Sequence, residues 1–195
     1  WTDGKMIAPM FPQPPSFIRC GSCKSLYWLD QAEQKGSFDP LGPAGNLPKL
    51  RAAPSIQEPS EAEYYEALEN APEDRYRERE LRTLAWWKSN DPHRGPEGAS
   101  TIQFGDDPAP PPKSDDTEPT SSPEARRANM EALVAILDES DEGTLLMKAE
   151  LLRELGRFPE ALALLERIQG DPLQKLADIF RSYCKAQDPA LHVLL

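Results

Sequence analysis

The chain of 195 residues contains only three cysteines and two histidines, and it has no long apolar stretch. An odd and low number of cysteines argues against a disulfide framework, which secreted small domains build from pairs. No window approaches the ~20 apolar residues that a membrane helix needs, and no signal peptide is visible. We therefore expect a cytoplasmic protein that does not span a membrane.

Common catalytic motifs are also missing from the sequence. It contains no phosphate-binding loop, no nucleophile elbow and no H-E-x-x-H metal motif. His93 and His192 lie far apart in the sequence, and each is expected to face solvent. The acid pairs Glu63–Glu66 and Glu150–Glu154 fall on predicted helix surfaces, where carboxylates are normally solvated. These observations predict a protein that is not an enzyme.

The charge of the chain is strongly acidic. It has 33 acidic and 22 basic residues, a formal net charge of −11. Such a chain repels phosphate backbones, which makes nucleic acid an improbable partner in general. The exception is residues 1–59, which hold 6 basic and 5 acidic residues and so could approach an anionic partner.

Proline is abundant, with 21 residues, and its clusters mark the segments that do not form long regular elements. Residues 1–29 are predicted to form a small ribbon-like β element, with a turn at Asp3-Gly4 and a strand, tight turn and strand around Gly21-Ser22. Residues 30–59 are predicted to be a Pro/Gly-rich loop. Residues 99–123 are predicted to be a short extended segment, at 99–104, followed by an acidic Pro-rich linker.

Residues 60–98 are predicted to form a helical hairpin, with helices at 60–71 and 73–90. Ser60 and Glu63 have the spacing of a capping box at the start of the first helix. Pro72 breaks that helix and is a candidate for the first turn of the second.

Two adjacent tryptophans, Trp86 and Trp87, point about 100° apart on a helix and so cannot share one narrow core stripe. In the first interpretation, the hairpin packs on two sides, with one tryptophan in its own core and the other against the β element or the C-terminal helices. In the second, Trp86, Trp87 and Arg94 form a partner-binding surface, with His93 at its rim.

Residues 124–195 are predicted to contain four helices, which makes the fold mainly α. Ser122-Pro123-Glu124 is typical of a helix start, because it combines a cap, a proline at the first position and an acid in the first turn. Gly156 is expected to end the second helix. Gly170-Asp171-Pro172 is expected to separate the third helix from the fourth. Cys184, within the fourth helix, is expected to be buried.

Residues 144–172 read TLLMKAELLRELGRFPEALALLERIQGDP, with small residues at Ala149 and Ala161 and a glycine between them. This stretch resembles a tetratricopeptide repeat, a pair of antiparallel helices in a unit of about 34 residues. Lys148 stands where the family prefers leucine, and Ile168 is larger than its usual alanine. The other matching positions are Leu145, Leu152, Gly156, Phe158 and Leu165. Pro172 resembles the family's closing proline, displaced by one residue.

The resemblance implies an antiparallel helical stack that binds other proteins. Such repeats bury their faces against neighbours and need about three units to be stable. The flanking helices, predicted at 124–138 and 172–187, would supply those neighbours in a right-handed stack.

Cys20 and Cys23 form a C-x-x-C pair on the tight turn between two predicted strands, with small residues between them. Two thiolates at this spacing can bind one tetrahedral zinc ion. The segment resembles the second knuckle of a zinc ribbon, and a first knuckle would be expected before Trp1. Two other interpretations remain open: a pair of ordinary thiols, or a redox pair.

These patterns lead to two hypotheses about function. The first is a non-enzymatic adaptor that binds a protein partner and could also form a homo-oligomer. The second is a zinc-ribbon regulatory module that binds metal and, through its near-neutral N-terminal part, nucleic acid.

Overall fold

The computed structural model describes residues 1–6, 15–34, 55–70, 74–94, 121–170 and 173–194. These residues are mainly helical and include a small antiparallel sheet, in agreement with the predicted fold class. The extended segment predicted at 99–104, and nearly all of the linker predicted after it, lie outside the described residues. None of the helices in the described part of the chain has both the length and the apolar character needed to cross a bilayer.

The sheet has three strands in the order β2-β1-β3, with β1 at Phe17–Cys20, β2 at Leu26–Trp28 and β3 at Ile56–Gln57. The first two strands confirm the predicted strand, turn and strand, with Phe17 opposite Trp28. The third strand was not predicted, because two residues after a proline-rich segment carry no alternating pattern. Residues 1–6 contain a turn but no strand, so they do not extend the sheet.

The helical hairpin consists of α1, Glu61–Glu69, and α2, Arg75–Asn90. The predicted capping box is confirmed, because the Glu63 N–H donates to Ser60 Oγ and the Ser60 N–H donates to the Glu63 carboxylate. Helix α2 begins at Arg75, and the side chain of Asp74 caps it. Pro72, expected in its first turn, lies outside the described residues. A short 3₁₀ turn, Asp91–His93, follows α2.

Four helices follow in the C-terminal part, as predicted: α3, Pro123–Ile136; α4, Glu142–Glu154; α5, Phe158–Leu165; and α6, Leu173–Lys185. Ser122 caps α3 as expected. Gly156, with a φ of +75°, ends α4 in the left-handed conformation that favours glycine.

Each helix from α1 to α6 packs against the next one along the chain, and α4 also contacts α6. Ala149 in α4 and Ala161 in α5 are almost completely buried, which fits the closest packing of the two helices. A smaller apolar cluster joins the sheet to the hairpin and includes Phe17, Trp28 and Tyr64. The larger apolar cluster unites Trp86 of α2 with the four C-terminal helices.

Candidate functional site

The two cysteines of the C-x-x-C pair lie at opposite ends of the tight turn between β1 and β2. The Lys24 N–H donates to the Cys20 carbonyl at 3.0 Å, and the Cys20 N–H donates to the Ser25 carbonyl at 2.9 Å. Lys24 has a φ of +63°, a conformation uncommon for residues other than glycine. The Gly21 N–H donates to the Ser55 carbonyl at 2.7 Å, so the segment that leads into β3 holds the turn from one side.

The two thiols of this turn differ in exposure. Cys20 is nearly buried, whereas Cys23 is exposed and its Sγ lies 3.3 Å from Oγ of Ser25. Hydrogen bonds from the Ser25 side chain and backbone, followed by one from the Cys20 thiol, lower the pKa of Cys23 to about 7. A substantial fraction of Cys23 is therefore thiolate near neutral pH, which is the form that binds metals and reacts with electrophiles.

A structural zinc ion needs four ligands, and the described residues offer two. Within them, no group of three or more Cys, His, Asp or Glu side chains is placed to hold a metal ion. Cys184 is buried in α6, as predicted, and burial raises the pKa of its thiol to about 11. His192 stacks on Tyr183 at 4.1 Å between ring centroids and contacts Asp188.

The residues of the second candidate site, Trp86, Trp87 and Arg94, do not form an exposed surface. Trp86 is buried, and its indole N–H donates to the Glu154 carboxylate at 2.8 Å. The Trp87 indole N–H donates to the Asp3 carbonyl at 2.8 Å. Arg94 is buried against Asp3. The packing interpretation is correct for the contact with the C-terminal helices, because both tryptophans belong to or pack against the larger apolar cluster. It is wrong in placing one of them in the hairpin's own core, because the smaller cluster contains neither.

The acids Glu150 and Glu154 of α4, expected on a solvated helix face, lie in contact with other parts of the chain. Glu150 is completely buried and pairs with the equally buried Arg153 of the same helix. Glu154 accepts hydrogen bonds from Trp86 and Asn90 of α2. The correction follows from elements that are distant in sequence. Trp86 and Asn90 of α2 reach Glu154. Arg153, the partner of Glu150, contacts Tyr183 of α6 and donates to the Asp188 carbonyl.

An open groove of about 380 Å³ lies over α4, between α3 and α5. Its apolar lining includes Val134, Leu152 and Leu164, and the small exposed residues Ala135 and Ala163 lie on its two walls. Charged side chains also line the groove: Glu139, Lys148, Arg157 and Glu160. No local pattern in the sequence predicts this groove, because isolated alanines on a helix surface carry no distinguishing signal.

The charges in the groove are paired within the chain. The Lys148 ammonium donates to the Leu137 carbonyl at 3.2 Å and to the Glu139 carboxylate at 3.0 Å. Arg157 pairs with Glu160. The groove therefore combines an apolar floor with charges of both signs, rather than a field of one sign.

Comparison with known proteins gives no relative: no protein-family model, no curated protein and no solved structure matches the chain.

Proposed function

We propose that the protein is a non-enzymatic adaptor whose C-terminal helices form a tetratricopeptide-like stack that binds another protein. The sequential packing of α3 to α6, the additional contact between α4 and α6, and the buried Ala149 and Ala161 support this kind of stack. The groove over α4 carries the proposal, because it is an apolar concavity within the helical body.

The partner that fits this groove is a peptide segment with an apolar anchor and charged flanks of both signs. An apolar side chain of the peptide would contact Leu152 and Leu164. Charged residues on either side of it would form ion pairs with members of the Lys148–Glu139 and Arg157–Glu160 pairs. Apolar anchors in a pocket dominate the binding energy of such interfaces, whereas exposed charges mainly set orientation.

The test uses photo-crosslinking followed by binding measurements. A photoreactive amino acid at position 163 identifies the partner in the native cell, and the affinity of the purified pair is then measured. We expect Ala163→Trp, which fills the groove, to weaken binding at least about tenfold. Ala186→Trp, at an exposed position after α6, is the matched control and should bind normally. Equal affinity for all three proteins would refute binding in the groove.

We propose a second function for the N-terminal part: Cys20 and Cys23 bind zinc together with two ligands from outside the described residues. The observation that favours a zinc site is the geometry of the turn. Its backbone hydrogen bonds hold the two cysteines close together, and hydrogen bonds to the exposed Cys23 lower the pKa of its thiol. Zinc bound here would stiffen the hairpin of β1 and β2. Lys24, beside the pair, would attract an anionic partner such as nucleic acid, whereas Arg19, in β1, is ion-paired with Glu63.

Elemental analysis of the protein in its native full-length form tests this second function. We expect about one zinc ion per chain, as in a closed structural site. Cys20→Ser and Cys23→Ser should lose it, whereas Cys184→Ser, which changes the buried thiol of α6, should retain it. Wild-type protein without zinc, or zinc retained in both turn variants, would exclude the proposed site.

A further inference from the structure

Residues 1–6, here named the latch, connect parts of the chain that are distant in sequence. The Thr2 N–H donates to the His192 carbonyl at 2.9 Å, and the Lys5 ammonium donates to the Asp91 carboxylate at 2.7 Å. With the bond from Trp87 to the Asp3 carbonyl, these contacts fasten the latch to the end of α2 and to the segment after α6.

Asp3 is the buried centre of the latch. Two nitrogens of the Arg94 guanidinium donate to its two carboxylate oxygens, and both side chains are almost completely inaccessible to water. Trp1 covers this pair, with the Arg94 guanidinium carbon 5.4 Å from the ring centroid. A buried carboxylate of this kind depends on its partner cation, because water cannot replace it.

A second carboxylate lies beside Asp3. The Asn90 side-chain amide donates to Asp3 at 3.1 Å and also to Glu154 at 3.3 Å, so one neutral amide bridges two acids. Asp3 has the Arg94 cation as a partner, whereas the hydrogen bonds to Glu154 come from the neutral groups of Trp86 and Asn90.

The charged groups around Glu154 come from every element packed on it. Asp3 approaches from the latch, Arg94 from the turn after α2, and Glu150 and Arg153 from α4 itself. Arg94 is bound to Asp3 and Asp91, and Arg153 is bound to Glu150. Burial, followed by the negative charge of Glu150, raises the pKa of Glu154 to about 8.

We propose that Glu154 is a pH-sensitive control of the latch. When Glu154 carries a proton, the buried negative charges of Asp3 and Glu150 are matched by Arg94 and Arg153, and the latch is closed. When the proton leaves, a second negative charge lies across the Asn90 amide from Asp3, and release of residues 1–6 from α2 relieves the repulsion. The latch thus opens more readily in alkaline than in acidic solution.

Hydrogen exchange of the Thr2 backbone N–H, measured on the full chain, tests the proposal directly. Protection is corrected for the intrinsic pH dependence of exchange and followed from about pH 6 to about pH 9. If the loss of one proton drives opening, the equilibrium constant for opening rises by at most about tenfold per pH unit. It becomes constant above the pKa that Glu154 has in the closed state. We expect wild-type protection to fall in this way, and Glu154→Gln, which cannot ionise, to keep a constant protection.

Glu166→Gln, at an exposed acid of the turn after α5, is the matched control and should follow the wild type. If Glu154→Gln loses protection with pH in parallel with the wild type, the proposal is overturned. Should that variant not fold, the Glu154 carboxyl carbon can be titrated by NMR in the wild type. Thr2 protection that stays constant while this carboxyl titrates would equally overturn it, whereas coincident changes would support it.

Discussion

Asp3 and Arg94, 91 residues apart in sequence, form a buried ion pair that joins the N-terminal segment to the end of the helical hairpin. Both side chains are almost inaccessible to water, so neither charge would be solvated if its partner were removed. The net stabilisation from the pair is therefore small, since the cost of desolvating two charges offsets much of their attraction.

We expect Arg94→Met to lower the free energy of unfolding by about 3–5 kcal/mol, because it leaves the Asp3 carboxylate buried without a cation. Urea denaturation followed by tryptophan fluorescence gives this quantity. The double variant Asp3→Leu with Arg94→Met removes both charges and should recover at least half of the loss. A double variant that is less stable than Arg94→Met alone would contradict this account.

Glu154 should make the stability of the protein fall as the pH rises. Its pKa is about 8 in the folded protein against an ordinary value of 4.5, so the folded state binds the extra proton between these values. The contribution of Glu154 to the free energy of unfolding is greatest below its pKa in the unfolded chain. It decreases as the pH rises toward about 8 and does not change further above that pH. Unfolding midpoints across this range should slope downward in the wild type.

The same slope should be absent in Glu154→Gln, whose amide does not titrate. Other groups that titrate in this range act on both proteins, so the difference between the two curves isolates Glu154. Two parallel curves would show that its pKa is not raised on folding.

The packing of α4 on α5 can be tested at two alanines of α5 that differ in burial. Ala161 is completely buried, whereas Ala163 is exposed. Ala161→Leu should lower the free energy of unfolding by about 1–3 kcal/mol, because the added atoms force the helices apart. Ala163→Leu should change it by less than about 0.5 kcal/mol, as surface substitutions usually do. Similar losses in both variants would argue against close packing at Ala161.

The three cysteines should differ in their reaction with a maleimide near neutral pH. Cys23 is exposed and its pKa is lowered to about 7, whereas Cys184 is buried with a pKa raised to about 11. In metal-free protein, mass spectrometry of digests should find Cys23 modified first and Cys184 unmodified until the protein unfolds. Early modification of Cys184, or a Cys23→Ser variant that reacts as fast as the wild type, would contradict this order.

Local signals predicted most of the secondary structure correctly. The capping box of Ser60 and Glu63, the cap at Ser122 and the stop at Gly156 each depend on residues a few positions apart, and all three are present. The strand, turn and strand around the cysteine pair also follow from neighbouring residues.

The buried polar contacts could not be predicted in the same way. Asp3 was assigned to a hairpin turn and Glu154 to a solvated face, because their partners, Arg94 and Trp86, lie far away in the sequence. A charged residue on a helix has the same local pattern whether another element covers it or not. Only the positions of α2 and of residues 1–6 against α4 decide that Asp3 is buried and Glu154 half-buried.

The hydrogen bond from Thr2 to the His192 carbonyl also bears on the order of folding events. Contacts between neighbouring helices close short loops and can form early, whereas this contact closes a loop of nearly the whole chain at a greater entropic cost. During synthesis on a ribosome, Thr2 emerges long before His192 exists. Residues 1–6, which are made before the segment they bind, would thus be among the last of the described residues to reach their native contacts.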